Sequence, residues 1–233
     1  MIRNSFLLII LAGIAAILYP LFAQYTSPET LNGLAAFYVT QGPSQTGAAN
    51  MVTSIVVTYR GLDTLGEVTI LFLTAAIVGF MLKSAGEKAH TEPIQSVSPI
   101  LSTASSFLVP LTILFGVYIF INGHLTPGGG FQGGAITASA FLLMILAEKG
   151  HQIGHHALAV TESISGFGFV VLGLAGLAFA GGFLDSSFLP GGVVGTLISA
   201  GAIPLIYILI GLKVGAEITT IILELNQTKE NTK

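Results

Sequence analysis

Charge is what this chain has least of. Only 19 of its 233 residues are Lys, Arg, Asp or Glu, 8% of the chain, where soluble domains carry about 25%. Too few charged side chains are present to cover a water-facing surface. Cysteine is absent altogether. That excludes disulfides, thiolate nucleophiles and cysteine-held clusters, and with the clusters most electron-carrying chemistry. No phosphate-binding Walker sequence, nucleophile elbow or HExxH occurs, and no motif implies a cofactor. The formal net charge of −3 is small and no basic patch is present, so nucleic acid is not an expected partner.

What the chain has instead is apolar length. Hydrophobic residues make up 52% of it and the mean hydropathy is +0.85. These values describe an integral membrane protein, and the length suits one bundle of five to seven spans at about 20 residues each. The organising stretch is Asn122–Gly134, NGHLTPGGGFQGG, between two apolar runs. Pro127 lacks an N–H, and Gly128, Gly129 and Gly130 impose no helical preference. Ser105–Ile121 and Phe131–Ala147 are therefore two helices joined as a hairpin. Lipid offers the backbone of the connection no hydrogen bonds, so water or protein must. The expectation is a glycine-lined mouth that admits water.

Six spans are expected in an all-α, polytopic helix bundle. Ser5–Ala23 is the first, read as a retained span although Leu21-Phe22-Ala23 resembles a signal cleavage site. Gln24–Gly47 reads as a loop with a short helical turn near Leu31–Tyr38. The β-branched stretch Asn50–Arg60 fits a strand or a partly buried interfacial helix equally well. Gly61–Lys83 is the second span, with Asp63 or Thr64 as N-cap and Glu67 at capping-box spacing from Thr64. Ser84–Ser102 is a polar, proline-bearing linker. Beyond it come Ser105–Ile121, Phe131–Ala147, Ala159–Ala180 and Val193–Leu225. The last exceeds the bilayer, so it must tilt, kink at Gly201/Pro204 or project into water. Lys and Arg set the orientation. With the N-terminus inside, Arg3, Lys83, Lys88, Lys149, Lys229 and Lys233 fall on the cytoplasmic side and Arg60 outside, both termini being cytoplasmic.

Ionised groups inside a bilayer cost roughly 2.5–3.5 kcal/mol on insertion scales and mark protein-facing or watery paths. Glu67, one turn inside the second span, reads as a capping carboxylate or as an ion or proton relay. Lys213 and Glu217 share a face of the sixth span. They read as an ion pair near the inner interface with Lys213 snorkelling, or as part of a polar chain through the bundle. Glu162 is expected to be a solvated first-turn residue. His124, beside Asn122 and Thr126, is expected to be a hydrogen-bonding residue. His151, His155 and His156 fall in one short polar loop, Glu148–His156, without a facing histidine, so neither metal nor haem is expected there.

The motif GHLTPGGGFQGGAI (Gly123–Ile136), with SAGAIPLIYILIGLKVGAEI (Ser199–Ile218), resembles the MrpB/MnhB family of membrane subunits in multisubunit Na⁺/H⁺ antiporters. Related subunits occur in membrane-bound hydrogenases and sulfane-sulfur reductases. NMVTSIVVTYRGLDTLGEVTIL (Asn50–Leu71) looks like the C-terminal part of MrpA, or the small MbhE protein of those hydrogenases. The resemblance implies a fusion: an MbhE-like segment 1–84, a linker 85–103 and an MrpB-like domain 104–233. It further implies a non-catalytic subunit of a cation/proton antiporter module, seated in the cytoplasmic membrane among other Mrp- or Mbh-type subunits. Na⁺ and H⁺ would be the ions, with Glu67 matching an acidic residue linked to a cation route and Asp63 beside it. The same resemblance leaves open a sodium-translocating subunit of a hydrogenase or sulfane-sulfur reductase. A scaffold subunit and a haem-binding membrane enzyme are the readings from other classes.

Overall fold

A computed structural model describes residues 2–26, 30–85, 98–147 and 153–231. It is all helix apart from turns and one isolated bridge, with α1 (Ile2–Ala23), α2 (Gly33–Thr46), α3 (Met51–Thr53), α4 (Gly61–Ala85), α5 (Pro99–Ile121), α6 (Gly130–Ala147), α7 (His155–Phe179) and α8 (Ile203–Asn231). Six of these, α1 and α4 to α8, are long and apolar enough to cross a membrane. The chain is a multi-pass helical membrane protein.

Two compact units divide it, Met1–Phe37 and Tyr38–Lys233. The first carries α1, a 22-residue apolar helix containing Pro20. Within the second, α8 is the hub and packs against α4, α5, α6 and α7. Over half of its span is buried, against 39% or less for the other spans. A stripe of Ile203, Ile206, Tyr207, Ile210 and Val214 provides the centre of the core, at the three- and four-residue spacing of one helix face. On α4 the buried positions Gly61, Thr64, Val68, Ala75 and Gly79 form a matching stripe. Because α4 joins the same core as α8, the part of the first segment from Tyr38 onward shares one packed unit with the second.

The glycines after Pro127 serve two purposes. Gly128 and Gly129 adopt φ of 153° and 155°, which side chains avoid. Gly130, Gly133 and Gly134 are helical and admit close packing instead. A Cβ on Gly134 would lie 2.8 Å from the Gly211 carbonyl oxygen of α8, and one on Gly133 2.5 Å from the Gly116 carbonyl oxygen of α5. Small residues are how membrane helices approach at backbone distance.

Several expectations change. Asn50–Arg60 is not a strand. Asn50 caps α3 by accepting from the Val52 N–H, and the helix runs on as a π-helix over Ser54–Tyr59 with Thr53, Ser54 and Val57 buried. The helical turn expected near Leu31–Tyr38 is the longer α2, which carries on through Pro43. Thr64 does not cap α4: the helix starts at Gly61, and the Thr64 hydroxyl donates to the Val56 carbonyl at 2.6 Å. The third span begins earlier, at Pro99, with Pro in the first turn where its missing N–H costs nothing. His155 and His156 belong to the first turn of α7, with Gly154 ahead of it. His151, Lys149 and most of the 84–102 linker lie outside the described residues.

The largest change concerns the sixth span, whose helix begins at Ile203 and not at Val193. Residues 193–202 leave the helix altogether. They fold as a hairpin closed by a bridge between Gly192 and Ser199 and by the Ala200 N–H to the Gly191 carbonyl at 2.8 Å. Gly192, Gly195 and Gly201 have positive φ, so the apolar run is broken before α8 begins, with Pro204 in its first turn.

Candidate functional site

Lys213 lies ten residues into α8, about 15 Å along the helix from its start. Its Nζ sits 2.6 Å from Glu217 Oε1, the side chains being 10% and 0% exposed. The Lys213 side chain is turned into the bundle toward Glu217. Apart from Lys213, no donor among the described residues reaches either Glu217 oxygen. Two other helices wall the pair. From α4, the Phe72 ring centroid is 5.0 Å from Lys213 Nζ, within cation–π range. From α7, Gly166 leaves the space that Lys213 fills, since a Cβ there would lie 3.3 Å from Nζ. Glu162, one turn earlier on α7, is half-buried and acts electrostatically on Glu217. It is not a solvated first-turn residue. Further along α8, Glu224 faces α4 at Gly79. Positions 213, 217 and 224 share one face, so a polar row runs from mid-span toward the end of α8.

Asp63 and Glu67 stand elsewhere. Both are exposed on α4, and Asp63 pairs with Arg60. Glu67 is five residues from Phe72, about 140° around the helix. The fold therefore does not bring Glu67 to the Lys213–Glu217 pair. It leaves a carboxylate one turn inside an apolar face.

Several backbone groups of the glycine-rich connection find protein partners, while Pro127 is exposed. Asn50 Nδ2 donates to the carbonyls of Gly123 and Thr126 at 2.8 and 2.9 Å. The Thr53 hydroxyl donates to the Gly123 carbonyl at 2.7 Å and also lies 2.9 Å from the Tyr207 hydroxyl of α8. The Asn50 N–H donates to the His124 carbonyl at 3.0 Å. Pro127 and Gly128–Gly130 thus sit in a turn pinned from α3 and α8. His124 is fully buried; the carbonyls of Thr196, Leu197 and Ile121 lie around its ring, and among the described residues neither ring nitrogen meets full hydrogen-bond geometry with a partner. Burial holds its imidazole below the ordinary value, with the carbonyls of Thr196, Leu197 and Ile121 acting in the opposite direction. Asn50, Thr53 and Tyr207 were not singled out from the sequence. An Asn ahead of a helical run and a lone Tyr in the apolar face of α8 were the available signals.

Gln45, Thr58, Tyr59, Phe183, Asp185 and Ser187 line a mixed polar and apolar hollow of about 340 Å³. Its Tyr59 hydroxyl donates to Gln45 Oε1 at 2.6 Å, and Asp185 Oδ1 accepts from the Ser187 N–H at 2.9 Å. No group of three or more His, Cys, Asp or Glu among the described residues is arranged to hold a metal ion.

Comparison with known proteins fits this architecture. A chain in the structure of the membrane-bound sulfane sulfur reductase, an archaeal respiratory membrane complex, is 40% identical and superposes with a TM-score of 0.80 over 97% of this chain and 98% of that one. A chain of the Mrp complex from Dietzia sp. DQ12-45-1b, 23% identical, shares the fold at a TM-score of 0.75 over 96% of this chain and 26% of its own. An uncharacterized protein of Methanocaldococcus jannaschii is 28% identical over 88% of this chain and 85% of its own length. The B-type component of the Bacillus subtilis Na⁺/H⁺ antiporter is 37% identical over 35% of this chain and 51% of its own. Residues 2–92 match the MbhE family, the E component of MBH. Residues 100–220 match the domain related to the MnhB subunit of Na⁺/H⁺ antiporters, and the chain belongs to that family, with the MbhE segment fused ahead of it.

Proposed function

We propose that this chain is a non-catalytic subunit of an Mrp-type cation/proton antiporter module, and that it contributes both to ion passage and to assembly. The observation that carries the proposal is the Lys213–Glu217 pair, buried inside the bundle on the apolar span Ile203–Asn226 of α8. Replacing a buried ion pair by apolar residues is often neutral or stabilising, so packing alone gives no reason to keep one in a bilayer. A pair that hands on a proton, or neutralises a passing cation, gives one. Glu162 and Glu224 extend the path along the α7 and α4 sides. Asp63 and Glu67 form a separate acidic approach on the outward face of α4, completed by a neighbouring subunit, with Na⁺ taken by carboxylate oxygens as a hard cation. Membership of the MnhB-related family supports this reading, and the Lys and Arg bias supports an orientation with both termini cytoplasmic, the α5–α6 turn and α4's first turn facing outward.

The test is Na⁺-driven proton movement in vesicles carrying the full complex. Glu217→Gln is expected to abolish it with the complex still assembled; undiminished movement would leave only a scaffold role.

A second reading has its own support. The full-length likeness at 40% identity is to a sulfane sulfur reductase chain, which favours an equivalent ion-handling subunit in a respiratory complex whose redox chemistry lies in partner chains. Co-purifying subunits decide between them: iron–sulfur or nickel proteins mark the respiratory complex, antiporter subunits alone the stand-alone module.

A further inference from the structure

We propose that His124 is a proton-binding site that acts as the release for the junction between the α5–α6 turn and the 192–199 hairpin. This goes beyond the function proposed above and does not rest on it.

The ring is fully buried, and among the described residues neither nitrogen meets full hydrogen-bond geometry with a partner. A neutral imidazole carries one donor and one acceptor. The polar groups around this one are the carbonyls of Ile121, Thr196 and Leu197, all acceptors. Its lone pair meets no donor, and an added proton would meet acceptors without a counter-charge. Among the described residues no carboxylate supplies that charge. α5, α6 and the 192–199 hairpin contain no charged residue. On the π-helical side Arg60 and Asp63 pair with each other in exposed positions, and the α8 residue at the turn is Tyr207, occupied with Thr53. Asp185, ahead of the hairpin, accepts from Ser187. A protonated His124 in this enclosure is therefore an uncompensated buried cation, and the structure can relieve it only by letting the ring reach water.

The geometry decides which side gives way. The backbone of the turn is fixed, with the Gly123, His124 and Thr126 carbonyls all engaged by Asn50 or Thr53. The hairpin is anchored only at its base, where Ser199 and Ala200 are buried. Beyond the Gly192–Ser199 bridge and the Ala200 to Gly191 bond it has local bonds alone, from the Thr196 N–H and hydroxyl to the Val193 carbonyl and from the Thr196 hydroxyl to the Ile198 carbonyl, and its apolar arms are outside the core, Val193 at 71% and Ile198 at 86% exposure. Proton uptake is expected to lift the hairpin from the turn.

The sign follows from burial. Because the folded ring titrates below the ordinary value of about 6.5, the closed arrangement is fully stable above that value. It loses stability as pH falls through it toward the folded value. Two measurements on the assembled complex test this across pH 5 to 8. Deuterium exchange at the imidazole C2 of His124 should be at least about tenfold slower than at exposed His156, with a midpoint below the ordinary histidine value of about 6.5. Amide exchange in residues 192–199, corrected for intrinsic rates, should rise on acidification in the wild type and stay flat in His124→Asn and His124→Gln. A His124 midpoint at or above the ordinary value, or a hairpin response that persists in both variants, overturns the proposal. If neither variant assembles, the wild-type C2 titration decides alone.

Discussion

A lysine and a glutamate four residues apart would be unremarkable on a solvated helix, where such a pair is worth a few tenths of a kcal/mol. At 10% and 0% exposure the balance differs. Removing one partner of a buried pair leaves an uncompensated charge and costs about 3–5 kcal/mol. Glu217→Ala is thus expected to lower the unfolding temperature of the detergent-solubilised complex markedly, while the double change Lys213→Met with Glu217→Leu restores most of it. A double variant as unstable as the single one would show that the pair is needed for packing. The pairing itself was legible in the sequence from its spacing. Its burial was not, because the groups that cover it, Phe72 and Gly166, come from α4 and α7, far away in the chain.

Among the elements, α6 shows how tightly the bundle is tuned. Gly133 and Gly134 leave no room for a methyl group against Gly116 and Gly211, whereas Gly66 on α4 has nothing within 4 Å. Gly133→Ala and Gly134→Ala are expected to cost about 1–3 kcal/mol through overpacking, read as a drop in thermal stability. Gly66→Ala should hold or improve it by about 0.5–1 kcal/mol, as alanine does in helix interiors. A loss at Gly66 would place a partner subunit against that face. The glycines around Pro127 announced a hairpin correctly, but hydropathy misread the run from Val193. Apolar content suits a helix and a membrane-edge hairpin alike, and the positive φ at Gly195 and Gly201, not polarity, separates them. The π-helical stretch after Asn50 was equally hidden, since its β-branched residues fit a strand as well as a buried helix.

For the whole molecule, six apolar spans and the hairpin in the middle were readable from composition and periodicity alone. What joins them was not: α4 and α8 come from segments that match two different families, yet they pack into one core. The same arrangement leaves Glu67 exposed on the side of α4 that also carries exposed Ile70, a position that lipid would penalise. A neighbouring subunit is expected to supply a polar or cationic group there. Glu67→Gln should therefore weaken cross-linking between α4 and its neighbour, or slow transport, without altering the fold of this chain. Unchanged behaviour in both would assign Glu67 to the headgroup region alone.

The central claim is that the charges in the middle of α8 exist for ions to pass and not for the fold. The complex carrying Lys213→Met with Glu217→Leu, reconstituted in vesicles and driven by a Na⁺ gradient, tests it most directly. The expected result is an assembled, thermally stable complex whose proton movement falls to background. Full proton movement through that charge-free pair would contradict it.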